Sequence, residues 1–186
     1  MARLIYSMLA SLDGYTSDER GEFGWAAPDE EVHAYINKLG ASVGTYLFGR
    51  KMYETMVFWE TAHEIPGLGK VELDWARDWQ ATTKIVYSRT LVEPRSARTR
   101  IERHFDPEAI RRLKEKADHD IAVAGPELAA QAIRAGLVDE FHLIACPIIV
   151  GGGTRFFPPG VRLDLQLIES RRFECGVVVL RYTSRR

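Results

Sequence analysis

The sequence predicts an α/β protein with a mostly parallel central sheet, helices on both faces and an antiparallel C-terminal strand pair. Compact apolar runs alternate with helix-like stretches as far as about residue 150, and strand-like segments then follow one another without a helix. That order is expected of crossover-connected parallel strands closed by an antiparallel end. Three of the apolar runs also end in small or cationic residues: Leu47-Phe48-Gly49-Arg50-Lys51, Val86-Tyr87-Ser88-Arg89 and Val123-Ala124-Gly125-Pro126-Glu127. The first and third lead directly into helix-like sequence.

Residues 2–11 read as a buried strand that ends at Ser11-Leu12-Asp13-Gly14-Tyr15. A polar, glycine-containing loop follows to about Ala27. Pro28-Asp29-Glu30-Glu31 then opens a helix, because proline is tolerated in a first turn and acids there complement the helix dipole. Val32, Tyr35, Ile36 and Leu39 give that helix an apolar stripe at 3.6-residue spacing, and Gly40 and Gly44 close it. Thr45 to Phe48 is a short strand and Arg50 to Phe58 a helix. Pro66-Gly67-Leu68-Gly69 breaks the chain before helix-like character resumes at Leu73-Asp74-Trp75-Ala76. Lys84 to Ser88 is a strand, Pro107 to Ala117 a charged surface helix, and Asp120 to Ala124 a buried strand. Pro126 to Ala135 is a helix stopped by Gly136, a residue suited to the position just past a helix end. Glu140 to Val150 is a long apolar strand interrupted by Pro147 and followed by Gly151-Gly152-Gly153. Leu163 to Ser170 and Val177 to Tyr182 are closing antiparallel strands joined near Gly176.

A chain of 186 residues forms one domain, residues 1–186, long enough to bury a proper core. Its net charge of −1 gives no compositional support for a nucleic-acid surface. Cys146 and Cys175 suit neither a disulfide framework nor a zinc site, and both lie in apolar strand-like runs where a buried, inert thiol is expected. Arg3 followed by Leu4 to Leu12 imitates a signal peptide, yet a first strand explains it better. No apolar run approaches the roughly 20 residues of a membrane span, so the chain reads as cytosolic.

The three corners suit a phosphate-rich ligand. Backbone N–H groups at helix N-termini point at anions, and arginine adds a planar, permanently charged fork. Each has a plainer reading. Gly49-Arg50-Lys51 also fits a strand-to-helix corner with a solvated charge pair, and Arg89 a strand ending in an exposed cation. Gly151-Gly152-Gly153 also fits a hairpin-like turn and lacks the strand-to-helix context of a dinucleotide fingerprint.

The order of motifs resembles the dihydrofolate reductase-like fold, most closely the C-terminal reductase domain of bacterial riboflavin-biosynthesis deaminase-reductases and their stand-alone relatives. The resemblance covers nearly the whole chain. It rests on Ala124-Gly125-Pro126-Glu127-Leu128-Ala129, Ala135-Gly136-Leu137-Val138-Asp139-Glu140, Pro147 to Gly153 with Phe156-Phe157, Ser11-Leu12-Asp13-Gly14, and Gly49-Arg50-Lys51-Met52-Tyr53-Glu54.

The resemblance implies an NADPH-dependent reductase, usually a homodimer, that acts on a small heterocyclic or sugar-linked molecule. It implies that Gly49, Arg50 and Lys51 meet the cofactor's phosphates and that Ser88 and Arg89 hold the adenosine 2′-phosphate. Ala124, Gly125 and Pro126 would lie against the pyrophosphate, with Glu127 in the same corner. Asp13 would stand beside the nicotinamide and substrate, Thr154 in the substrate-facing segment and His33 near the substrate wall. Dihydrofolate reductases carry a Gly-Gly pair joined by a cis bond where this chain has Ala124-Gly125, and a first-helix carboxylate that aligns with none here. The chain therefore resembles the riboflavin branch and not dihydrofolate reductase itself. It also lacks the His-x-Glu and Pro-Cys-x-x-Cys pattern of the zinc deaminase, which excludes deamination.

Asp13 before Gly14 is by composition a turn former, and His33 by itself a helix-surface residue. Trp25 and Trp59 suit core or rim packing as well as a substrate pocket. His63-Glu64 is no zinc motif, because no second histidine follows at helical spacing. The expected activity is hydride transfer to a C=N or C=O carbon, the proton coming from Asp13, His33 or an ordered water. The expected partner is a small molecule, with no nucleic acid and no membrane. The alternative is a dimeric module that binds a nucleotide or metabolite without turnover.

Overall fold

A computed structural model describes residues 1–185. Ten strands and five α-helices follow in chain order: β1 (Leu4–Ser11), β2 (Tyr15–Ser17), α1 (Glu30–Gly40), β3 (Val43–Gly49), α2 (Arg50–Met56), α3 (Lys70–Ala81), β4 (Thr83–Tyr87), β5 (Thr99–Glu102), α4 (Pro107–Lys116), β6 (Asp120–Ala124), α5 (Pro126–Arg134), β7 (Glu140–Cys146), β8 (Thr154–Arg155), β9 (Leu165–Arg172) and β10 (Val178–Ser184). Eight strands form one sheet in the order β5-β4-β3-β6-β1-β7-β10-β9, while β2 and β8 pair separately. The first six of that order are parallel; β10 runs antiparallel to both β7 and β9.

The alternation of side chains along each strand explains the layers. Leu4 and Tyr6, Leu47, Ile85, Ile121 and Val123 point to one face, where α5 covers them with Leu128, Ala129, Ala132 and Ile133 and α4 with Ile110. Tyr46, Phe48, Val86 and Ala122 point to the other, against Tyr53 of α2 and Trp79 of α3. Further along that second face, Val32 and Tyr35 of α1 pack on Ile144, Phe173 and Val179. Each fully buried large apolar side chain contributes roughly 1.5–3 kcal/mol.

Local signals place the helices. Asp29 accepts the N–H of Val32 and caps α1, and Asp106 accepts that of Glu108 and caps α4. Gly136, at φ +64°, follows α5. The C-terminal carbonyls of α3 receive a buried cation: Lys84 Nζ donates to Trp79 O at 2.9 Å and lies 4.3 Å from the centre of the Trp79 ring. Burial pushes its pKa down to about 8.

Several expectations shift. Gly44 lies inside β3, where the side chain of His119 packs across its bare Cα; it does not close α1. The helix from Arg50 ends at Met56 and tightens into a 3-10 turn over Val57–Glu60. The long strand from Glu140 stops at Cys146, because Pro147 has no N–H for the ladder. Cys146 is buried, whereas Cys175 is exposed in the β9–β10 turn. β5 at one sheet edge and the β2–β8 pair are additions that no apolar run announces.

Candidate functional site

Every crossover between parallel strands returns its helix N-terminus to the C-terminal edge of the sheet, so three strand-to-loop corners lie side by side there. Register sets Gly49 beside Tyr87 and Phe48 beside Ala124, which aligns the ends of β4, β3 and β6. β6 stops early: Val123 pairs with Tyr6, while β1 and β7 run on together to Ser11 and Cys146. β1 thus extends four residues beyond the level of Ala124, roughly 13 Å at strand rise. The step beside it is a crevice at the strands' carboxyl ends, where open α/β sheets bind ligands.

Beside that step two helix N-termini are held in contact. Gly125 has φ +96°, and a Cβ there would lie 3.0 Å from Met52 Cβ of α2. A Cβ at Gly49 would lie 3.8 Å from Leu128 Cβ of α5. Small residues therefore let α2 and α5 start almost against each other. Neither N-terminus has a side-chain cap, so first-turn N–H groups remain free. Pro126 at the first position of α5 costs no donor. Lys51 Nζ lies 3.8 Å from Glu127 Oε1, linking the two corners across their exposed rims.

At the third corner, Arg50 donates from Nε to Glu54 Oε1 at 2.8 Å and from Nη1 to Thr90 Oγ1 at 2.6 Å. Ser88 has a different task from the one expected. Its hydroxyl is buried and accepts the N–H groups of Thr90 and Leu91. Ser88 thus shapes the loop on which Arg89 and Thr90 stand. Arg103 reinforces that loop, donating to the carbonyls of Ser88 and Leu91 at 2.9 and 2.7 Å. Arg89 is exposed and, among the described residues, makes no ion pair. Thr90 and Arg103 carry no local sequence signal, since both matter only through the loop's shape.

Past the end of β1, the Asp13 carboxylate accepts the N–H of Val150 at 3.2 Å and of Gly151 at 2.8 Å. The Ser11 hydroxyl, followed by these backbone donors, holds its carboxyl below the ordinary value. Asp13 is therefore ionised at neutral pH and unsuited to donate a proton. It anchors the 150–151 loop. We expect Asp13→Asn, which keeps one carbonyl acceptor of the two oxygens, to speed amide hydrogen exchange at Val150 and Gly151 while leaving β4 and β6 protected.

Thr154 lies in the β2–β8 pair, opposite Ser17, and its carbonyl accepts the Thr16 hydroxyl at 3.1 Å. Phe156 N–H donates to Gly14 O at 2.9 Å, so this small sheet folds back over the Asp13 turn. The glycine run makes the approach possible: a Cβ on Gly153 would overlap the Ser17 carbonyl. Asp13 and Thr154 thus belong to one unit.

His33 stands apart and makes no hydrogen bond to either. Its ring centre lies 6.0 Å from that of Trp59 and 6.3 Å from that of Trp75. Burial holds its imidazole below the ordinary value, partly offset by Glu72, so it is mainly neutral at pH 7. It borders a cavity of about 230 Å³ between the starts of α1 and α3, lined by Pro28, Asp29, Glu30 and residues 69–72. Trp25 packs beside Ala26 and Val32 at the edge of the core, its indole N–H donating to Glu22 O. Among the described residues, no group of three or more His, Cys, Asp or Glu could hold a metal ion, and no helix is long and apolar enough to cross a membrane.

Comparison with known proteins gives this arrangement a context. The signature of the RibD C-terminal domain family matches residues 2–179. The uncharacterized protein YyaP of Bacillus subtilis (strain 168) is 30% identical over 187 residues, covering 97% of this chain and 94% of its own. Among solved structures, a Shewanella sp. PV-4 protein named for riboflavin biosynthesis superposes with a TM-score of 0.76 at 20% identity, covering all of both chains. The diaminohydroxyphosphoribosylaminopyrimidine deaminase/5-amino-6-(5-phosphoribosylamino)uracil reductase of Thermotoga maritima superposes with a TM-score of 0.68 at 13% identity, over 99% of this chain and 57% of its own. At such identities the structural likeness speaks for the fold alone.

Proposed function

The chain belongs to the RibD C-terminal domain family and has its dihydrofolate reductase-like fold, and on that premise we propose that it is an NADPH-dependent reductase of a C=N or C=O group in a small heterocyclic or sugar-linked substrate. One observation carries the reading. Two uncapped helix N-termini, packed together through Gly49, Gly125 and Met52, meet cations from adjacent strand ends at the step beside β1. Such a cradle suits a dinucleotide's phosphates.

In this reading Gly49, Arg50 and Lys51 take one side of the pyrophosphate, and Ala124, Gly125, Pro126 and Glu127 the other. Glu127 contributes its backbone N–H, while its carboxylate faces Lys51. Arg89, supported by the Ser88 turn, supplies the charge that distinguishes a 2′-phosphate from a free 2′-hydroxyl. When bound, NADPH supplies the hydride; the protein contributes position and a proton route. Asp13 holds the loop beside the reacting carbon, and Thr154 presents its hydroxyl from the same unit. With Asp13 ionised, and His33 neutral and apart from it, the proton comes from a water ordered beside Asp13. The unpaired edge of β9 exposes Leu167 and Ile168, which supports assembly as a homodimer through the C-terminal strands.

The absence of a primed protein acid favours the second reading, a binding module without turnover. Both readings begin with the same titration. Tryptophan fluorescence should report saturable NADPH binding, tighter than NADH. Arg50→Ala with Arg89→Ala should raise the NADPH Kd by at least about a hundredfold, since each charge-assisted contact contributes about 1.5–3 kcal/mol. Failure to bind either nucleotide would sink the reductase reading. Binding without acceptor-dependent NADPH oxidation would leave the module.

A further inference from the structure

The turn from Ser88 to Leu91 leaves the end of β4 and carries Arg89 and Thr90. Past the ladder its backbone groups need partners of another kind. Ser88 meets part of that need from within, its hydroxyl accepting the N–H groups of Thr90 at 3.3 Å and Leu91 at 3.0 Å. The carbonyls are met from outside. Arg103 Nη1 donates to Ser88 O at 2.9 Å and to Leu91 O at 2.7 Å, bridging the first and last residues of the turn.

Strand pairing brings Arg103 to this place. β5 lies against β4, and the Ser88 N–H donates to Glu102 O at 3.0 Å, so the residue that follows β5 stands beside the turn. Leu91 closes the far end, buried in the cluster that holds Tyr53 and Trp79. The rest of the β4–β5 connection is fastened separately. Tyr53 Oη accepts the N–H of Arg95 at 2.8 Å, and Glu60 Oε1 that of Ala97 at 2.8 Å. Arg103 therefore bears on the turn that carries Arg89 and not on the connection as a whole.

The arginines around this turn have different tasks. Arg50 pairs with Glu54 and reaches the Thr90 hydroxyl. Arg103 commits Nη1 to two carbonyls, which fixes its guanidinium to the backbone. Arg89 is exposed and, among the described residues, makes no ion pair, so its charge is open to an anion. A cation on a loose loop loses affinity to the cost of ordering that loop, and a turn tied at both ends lowers the cost.

Resting on the NADPH reading, we infer that Arg103 is a positioning residue for cofactor choice: by tying the two ends of the Ser88–Leu91 turn it presents Arg89 to the 2′-phosphate, and the preference for NADPH over NADH depends on it. NADH carries a bare 2′-hydroxyl in that place and gains little from a well-placed guanidinium. Contacts to the pyrophosphate serve both nucleotides alike, so they leave the preference unchanged.

Tryptophan fluorescence of the full chain gives the NADPH and NADH Kd values for the parent, Arg103→Met, Arg89→Ala and the double variant. Methionine keeps an unbranched stem and removes the donors. Arg103→Met is expected to raise the NADPH Kd about tenfold and to leave the NADH Kd within about twofold. Amide hydrogen exchange at Thr90 and Leu91 should speed in the same variant. In the Arg89→Ala background the substitution should change the NADPH Kd by less than about threefold, because the turn then has no arginine to position. Fully additive effects would overturn the inference, since Arg103 would then meet the phosphate itself. Equal weakening of both nucleotides would overturn it as well, as the mark of a general loss of structure. An unchanged NADPH-to-NADH ratio, or unchanged exchange in the turn, would do the same. A parent that binds neither nucleotide, or both equally, would remove the NADPH reading first and the inference with it.

Discussion

Gly153→Ala is expected to destabilise the protein by about 3–5 kcal/mol and to unfasten the β2–β8 pair. Two costs add at this position. The backbone sits at φ +121°, which side chains rarely adopt and which costs of order 1–3 kcal/mol. The new methyl would also overlap the Ser17 carbonyl and the Asp18 peptide, and backbone cannot swing aside as a flexible side chain can. Overpacking of this kind costs typically 1–3 kcal/mol. Gly151→Ala is the control: φ is +80° but nothing lies within 4 Å of its Cβ, so about 1 kcal/mol is expected. Urea midpoints for the two variants, with hydrogen exchange at the Phe156 amide, check both statements. Equal midpoints would mean that the 151–153 loop does not press on residues 17–18 in solution. Because Asp13 and Thr154 share this unit, the same variant should also weaken any reductase activity while leaving the contact of α2 with α5 intact.

Glu140→Gln is expected to cost about 3–5 kcal/mol at neutral pH, for a different reason. Glu140 is buried at the start of β7 and gathers three partners: Arg3 at 2.7 Å, His142 at 2.8 Å and Arg181 at 3.3 Å. Arg3 continues to Asp120, and Arg181 to Glu169, which accepts the Tyr35 hydroxyl. His142 Nε2 also lies 3.3 Å from Arg181 Nε. The contact to Glu140 is the shorter, and a carboxylate can only accept, so the Nε2 proton points at Glu140. Removing the carboxylate's charge takes the anion away from the buried His142 and the largely buried Arg181, the situation in which broken pairs are most costly, while the half-exposed Arg3 keeps Asp120. The His142 hydrogen bond first, and then the nearby arginines, hold the Glu140 pKa down to about 2. An unfolded glutamate titrates near 4.3. The stabilisation is therefore complete above about pH 4.3 and is lost as pH falls toward 2. Glutamine does not titrate, so the gap in unfolding free energy between the parent and Glu140→Gln should shrink over that interval. A gap independent of pH would assign the loss to packing and not to charge.

Much of the fold was legible because it is written locally. The acidic opening of α1, the proline at the start of α5, Gly136 after its end and the turn at Gly176 all act within a few residues of themselves. The same holds for the three corners at Gly49, Ser88 and Gly125, which the register of β4, β3 and β6 brings into one row. Other features were not legible for an equally physical reason. β5 has the sequence Thr-Arg-Ile-Glu, with no apolar run, and is a strand because its neighbour β4 offers an unpaired edge. β2 pairs with β8 across more than 130 residues of chain, and neither is long enough to carry a period.

The candidate site divides along the same line. A glycine between a buried strand and a helix already speaks for close backbone approach, so the contact of α2 with α5 at Gly49 and Gly125 could be read from residues in order. The state of Asp13 could not, because the N–H groups that bind it, those of Val150 and Gly151, lie more than 130 residues away along the chain and arrive only through the pairing of β1 with β7. Nor could the burial of the Ser88 hydroxyl, the neutrality of His33 beside Trp59 and Trp75, or the Glu140 network. Sequence alone determined the alternation of the main strands and helices and most of the residues that end them, because periodicity and turns are short-range. Only the tertiary structure decided which groups are charged, which are spent on holding loops and which are left exposed, because desolvation and hydrogen bonding depend on neighbours that the chain brings together only by folding.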